Sequence, residues 1–153
     1  MEGLIMSTAV QPHAPEHSVF GRMARLLDIQ LASESDAVRI VVAGISIHSY
    51  KRVASKLGLS SSLVAPESTI RRRLSNNARF SEAESERVVR LTRVYAEAVE
   101  LFGGDEAAAL LWLNTPADYL PDQPAISPLQ LSVMDSGARL IESHIRRTAH
   151  GIF

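Results

Sequence analysis

The sequence predicts an all-α fold, and three observations carry that expectation. Apolar residues recur three and four apart through most of the chain, while β-branched alternation is scarce. Each periodic run opens behind a residue able to cap a helix, such as Ser18, Ser46, Ser81, Asp105 or Ser127. Most runs close at glycine: Gly44, Gly58, Gly103-Gly104, Gly151.

The elements follow in order. Residues 1–17 read as a flexible N-terminal tail of small and polar residues with two prolines. Ser18 caps a short helix with Val19, Phe20, Met23, Leu26 and Leu27 on one side. A second helix runs from about Asp36 to Ala43 with Ala37, Ile40 and Val41 inward. A third, Ile47 to Leu57, turns Tyr50, Val53, Ala54 and Leu57 inward and ends at Gly58. Ser60 can cap a single turn through Leu63 and Val64. Pro66 suits the first position of the next helix, where its missing N–H costs nothing.

Ser81-Glu82-Ala83-Glu84 is a capping box. It opens the longest helix, to about Phe102, with Val88, Leu91, Tyr95, Ala98 and Phe102 as its stripe and Val94 and Leu101 beside them. Asp105 caps a short, very apolar helix carrying Leu110, Leu111, Trp112 and Leu113. A loop with Pro116, Pro121 and Pro124 leads to a turn or short helix at Pro128. The last helix, capped by Asp135 or Ser136, runs from Gly137 to about Ala149. The expected division is a tail at 1–17, a first unit at 18–77 and a second at 78–153, with the boundary near Asn76 to Phe80.

Composition narrows function. The chain has 153 residues, enough to bury a real core, and 46% are hydrophobic, which fits a globular protein. The absence of cysteine excludes disulfides, thiolate metal sites and cysteine nucleophiles, and fits a reducing compartment. No apolar run approaches the ~18 residues that span a bilayer. The first residues lack the basic-then-apolar pattern of a secretory signal. A cytoplasmic location and no membrane partner are expected.

The net charge of −1 conceals an asymmetry. Residues 1–36 hold two basic and five acidic groups, residues 37–75 seven basic and one acidic, and residues 76–153 seven basic and eleven acidic. A basic block within an acidic chain points to one anionic partner at one place, or to a solvated face. The block ends in Arg71-Arg72-Arg73. Stepping roughly 100° per residue from Ile70 brings Leu74 back to the buried edge. Ser68, Thr69 and Arg72 then face outward, flanked by Arg71 and Arg73.

Small hydroxyl residues among arginines suit a helix that reads the major groove. The backbone can come close, a guanidinium can bond guanine, and its neighbours can neutralise phosphates. The preceding helix adds Lys51, Arg52 and Lys56, and helix, short connection, helix is the logic of a helix-turn-helix. The alternative is that these arginines are solvated or pair with the acidic half of the chain.

A catalytic constellation is missing from the sequence. His13, His17, His48, His144 and His150 form no HExxH motif, no serine sits in GxSxG, and Gly103-Gly104 lacks the following Lys-Ser/Thr of a phosphate loop. We expect neither an enzyme, nor a cofactor, nor a metal site.

Several elements in order resemble a known family: STIRRRL; SEAESER and its long helix; ELFG; ALLWLNTP; and SPLQLSVMDSGAR. Together, over roughly residues 45–147, they are similar to the Xre/MbcA/ParS-like antitoxins of RES–Xre toxin–antitoxin systems. Residues 1–35 carry no pattern of that family. The resemblance implies an N-terminal Cro/CI-like helix-turn-helix that binds the operator of its own operon. It implies a C-terminal helical part that blocks a RES-domain toxin acting on NAD. On it, DNA contacts are expected from Lys51, Arg52, Lys56, Ser68, Thr69, Arg71, Arg72 and Arg73. Toxin contacts are expected from Trp112, Tyr119, Leu120, Arg139, Glu142, His144, Arg146, Arg147, His150 and Phe153.

Trp112 serves either the core or an interface, and the chain's end either enters a toxin cleft or frays. A homodimer is expected, since one recognition helix reads only ~3–5 base pairs. The alternative is a stand-alone dimeric helix-turn-helix regulator whose second half dimerises or senses a ligand.

Overall fold

The computed structural model describes residues 13–151. Eight α-helices follow one another: α1 Val19–Leu27, α2 Glu34–Ala43, α3 Ile47–Leu57, α4 Glu67–Asn76, α5 Glu82–Leu101, α6 Glu106–Leu113, α7 Pro128–Leu131 and α8 Asp135–Ala149. A 3-10 turn, Ser61–Leu63, separates α3 from α4. Among the described residues the only β-type pairing is the isolated bridge between Ala117 and Ile126, which folds the proline-rich loop back on itself. The fold is all-α, as the periodicity predicts.

The long helix α5 is the axis. Its capping box is formed, with Ser81 Oγ accepting from the Glu84 amide and the Glu84 carboxylate accepting from the Ser81 amide. Val88, Leu91, Val94, Tyr95, Ala96, Ala98 and Val99 are buried along it, on more than one face. A helix buried on several sides must be wrapped by others, and α1, α2, α3, α6 and α8 all pack against it. The hydrophobic core is therefore continuous across residues 76–80, from Met23 and Leu27 of α1 to Ile141 and Ile145 of α8.

Polar ties fix the N-terminal helices. Ser49 of α3 donates to the Leu27 carbonyl at 2.6 Å, and the Ile45 amide donates to Ser85 of α5 at 2.8 Å, both buried. Gly44 is required where α2 ends: its φ is +88°, and a Cβ there would stand 2.5 Å from the Phe80 carbonyl oxygen. Gly137 is required for a different reason. α7 and α8 approach so closely that a Cβ on Gly137 would stand 1.9 Å from the Leu131 carbonyl oxygen.

Several boundaries differ from expectation. α2 starts at Glu34, because Ser33 caps it and Asp36 reaches back to accept from the Ala32 amide at 2.8 Å. Pro66 is the N-cap of α4, not its first helical residue. α8 begins at Asp135 behind an extended Met134, two residues before the expected Gly137. Of the expected tail, residues 13–17 are described, and Pro15 accepts from both the amide and the hydroxyl of Ser18; residues 1–12 lie outside the described residues.

Candidate functional site

α4 is held by few contacts. Ile70 is its one buried residue, and Leu74, expected at the buried edge, is 37% exposed. The missing anchor is supplied by Arg73 instead. Its Nε donates to the Glu84 carboxylate at 2.8 Å, with the arginine side chain 24% and the glutamate 8% exposed. The helix therefore turns Ile70 and Arg73 towards α5. Burial works to raise the Glu84 carboxyl, but the Ser81 amide and the Arg73 guanidinium outweigh it and hold the group below its usual range.

The rest of α4 faces water. Arg71 reaches only the exposed Glu67 of its own first turn, at 3.2 Å. Arg72 and Ser68 are exposed and Thr69 is half-buried. Arg72 has no ion-pair partner among the described residues.

The basic residues of α3 are placed differently. Arg52 donates its Nε to the Leu26 carbonyl and Nη2 to the Arg25 carbonyl, both at 2.9 Å, and so closes the C-terminal end of α1. Lys56 pairs with Glu106 at the start of α6 at 2.6 Å. That contact raises the Lys56 ammonium and lowers the Glu106 carboxyl. His48 meets Asp28, the left-handed cap of α1, at 2.8 Å, and lowers its carboxyl. Lys51 is exposed.

Together with Arg22 and Arg25 of α1, these α3 residues line an open cleft of about 490 Å³ against Tyr95, Val99 and Glu106. The sequence reading missed the two α1 arginines because they sit in the segment whose charge count is acidic. Arg22 and Arg25 are three apart on a helix, which is the signal that could have found them.

The residues expected to meet a toxin separate onto several surfaces. Trp112 is half-buried beside Phe102, ring centroids 6.3 Å apart, and next to it Leu111 is 72% exposed. Tyr119 packs edge-on against His144 at 5.3 Å, with Leu120 half-buried nearby in sequence. Arg139, Glu142 and Arg146 instead lie along a groove of about 560 Å³ between α2, α5 and α8. Arg139 pairs with Asp135 at 3.0 Å in that helix. Arg147 and His150 are exposed, and Phe153 lies outside the described residues.

Two features of that groove were not anticipated. Val38 and Val42 of α2 line it at 61% and 65% exposure. Glu97 of α5 also lines it, and burial, reinforced by the Glu142 carboxylate, pushes its carboxyl up to about 7 against the opposing pull of Arg93 and Arg146. The long-helix stripe read from sequence omitted Glu97 because an acidic residue gives no apolar signal. Among the described residues no cluster of three metal-ligating side chains forms, and no helix is long and apolar enough to cross a membrane.

Residues 97–151, from the last turn of α5 through α8, match the antitoxin Xre/MbcA/ParS C-terminal toxin-binding domain. The chain is 39% identical over 88 residues to the antitoxin Xre of Yersinia enterocolitica, covering 58% of this chain and 57% of that protein. It is 32% identical over 119 residues to the antitoxin Xre of Photorhabdus laumondii, covering 78% of this chain and 64% of that protein. The matches thus span under two thirds of the length of either relative. Residues 97–151 are therefore similar to the toxin-binding domain of the Xre/MbcA/ParS antitoxins, and the chain is similar to two antitoxin Xre proteins.

Proposed function

We propose that the chain neutralises a protein toxin through residues 97–151 and binds operator DNA through α3, the 3-10 turn and α4. The observation that carries the first part is the family match, which spans α6 to α8 and the exposed Leu111 beside the Trp112 and Phe102 rings. An exposed large apolar side chain next to aromatic rings is the composition of an interface core. The toxin is expected to be of RES type and to consume NAD, the chain acting on it by covering its active site.

The DNA part rests on α4. Ser68, Thr69, Arg71 and Arg72 are the residues we assign to the duplex, as a helix-turn-helix reading the major groove. Arg71 is available because its partner Glu67 is an exposed neighbour, and such pairs are worth ~1 kcal/mol or less. Arg73 is assigned to anchoring α4 on Glu84. Two copies would present two recognition helices to a two-fold operator.

Co-expression with the product of the neighbouring gene, followed by size-exclusion and an NAD assay, tests the first part. A stable complex with suppressed NAD loss is expected; separate elution with undiminished NAD loss would refute it. For the second part, Arg72→Ala should weaken operator binding by ~1–3 kcal/mol at fixed salt and leave toxin capture unchanged. Unchanged operator affinity would refute the placement of α4 in the groove.

A further inference from the structure

The cleft between α1, α3 and the start of α6 is lined by Arg22, Arg25, Lys51, Arg52 and Lys56, with Glu106 as its one carboxylate. We propose that this cleft is a phosphate-binding site. Five cations around one opening repel one another unless an anion joins them. Glu106 holds Lys56 and Glu16 holds Arg25, which leaves Arg22, Lys51 and Arg52 without an ion-pair partner among the described residues.

The donors are set in place. Arg52 spends Nε and Nη2 on the end of α1, which fixes its planar fork and leaves Nη1 outside those bonds. The Nε of Arg22 is buried without a hydrogen-bond acceptor among the described residues, an arrangement that carries a desolvation cost until an acceptor arrives. Lys51 has no ion-pair partner there. A phosphate, with several acceptor oxygens and more than one charge, satisfies a fork, an ammonium and a second guanidinium together. A carboxylate has fewer acceptors to offer. The volume of about 490 Å³ exceeds what a lone ion needs, and the Leu26, Tyr95 and Val99 wall gives an attached organic group a surface to lie on.

The phosphate has two possible sources, the backbone of a duplex or a small phosphorylated molecule. The site does not rest on the α4 face, from which none of its lining residues comes. It joins α1 and α3 to α6, the first helix that lies wholly within the toxin-binding segment.

The test is isothermal titration of the full chain with inorganic pyrophosphate at constant ionic strength. One saturable site is expected, weakened about tenfold by Lys51→Gln and by Arg22→Gln and unchanged by Arg139→Gln on α8. Lys51 is exposed, so its variant carries the test even if Arg22→Gln unfolds the chain. Heats no larger than those of sodium chloride at equal ionic strength would overturn the proposal, as would equal weakening by all three variants. A competing arm adds a short duplex of arbitrary sequence. Displacement of pyrophosphate by the duplex, with duplex affinity lowered by Lys51→Gln, assigns the site to backbone phosphate. Pyrophosphate binding that the duplex leaves intact assigns it to a small phosphorylated ligand. Arg72→Ala separates the two readings, since loss of operator binding with pyrophosphate titration preserved bears on α4 alone.

Discussion

Glu84→Gln should destabilise the protein at neutral pH and have almost no effect in acid. The glutamate side chain is 8% exposed and lies 2.8 Å from the Arg73 Nε, whose side chain is 24% exposed. The substitution keeps an oxygen able to accept from the Ser81 amide and from Arg73, so the capping geometry survives and the charge alone is lost. Two unit charges at that range attract by roughly 6 kcal/mol at an effective dielectric of about 20, but part of this offsets their desolvation. The net worth of a charge-assisted hydrogen bond is about 1.5–3 kcal/mol, and the variant should lose most of it.

The pH dependence has a definite sign. The folded Glu84 carboxyl lies below its ordinary value of 4.5, so its contribution is present above that value and is lost as pH falls through the folded one. Urea titrations at neutral pH and well below 4 read the difference as a shift in midpoint at constant slope. A double cycle with Arg73→Met should give a coupling of about 1–2 kcal/mol at neutral pH. No coupling, or a gap between parent and variant that persists unchanged in acid, would refute the assignment of Arg73 as the anchor of α4.

Three further outcomes follow from single contacts. Gly137→Ala should cost at least about 2 kcal/mol, because the added carbon meets the backbone oxygen of Leu131, which cannot rotate away; a melting temperature within a degree of the parent would contradict the close approach. Glu97 binds a proton in the folded state that the unfolded chain releases between 4.5 and about 7, so stability should fall as pH rises through that window. Glu97→Gln should flatten that slope, and an unaltered pH profile would remove Glu97 as its cause. Leu111→Glu should leave the melting temperature within error, since the side chain is 72% exposed, yet weaken capture of the toxin in a pull-down; full capture would move the interface elsewhere on residues 97–151.

The helices were legible because capping and apolar spacing are local. Ser18, Ser46, Ser81 and Asp105 each accept the backbone bond expected of a cap, and the core stripes of α1, α3 and α5 are buried nearly as read, except that Phe102, expected in the α5 stripe, caps that helix and is 36% exposed. What the spacing could not supply was the neighbour each face would meet. Ile70 and Leu74 share a side of α4 by spacing, but the helix rests on α5 through Ile70 and Arg73, and Leu74 is left partly in water. Likewise Val38 and Val42 look like core on any apolar count, yet they line the groove beside α8. The surface candidates on α8 read as one helix in sequence. Its rotation sends Arg139, Glu142 and Arg146 towards α2 and His144 towards Tyr119.

The basic block illustrates why a charge count along the chain is not a field. Of its seven cations, Arg39 pairs with Asp36, Lys56 with Glu106, Arg71 with Glu67 and Arg73 with Glu84. Arg52 is turned onto two carbonyls, which orients its charge without cancelling it. Two of the acidic partners, Glu84 and Glu106, come from the acidic second half, so the asymmetry between halves partly closes on folding. What survives is narrower and better placed: Arg72 with an exposed partner-free face on α4, and Lys51 with Arg52 at a cleft that α1 completes with two arginines absent from the block. The three consecutive arginines therefore do three different things. Arg73 holds the helix, Arg71 rests on a contact weak enough to exchange, and Arg72 alone stands free of any ion pair among the described residues. A substitution that treated them as one patch would mix a stability loss with a binding loss, whereas Arg72→Ala changes only the charge that the fold has left uncommitted.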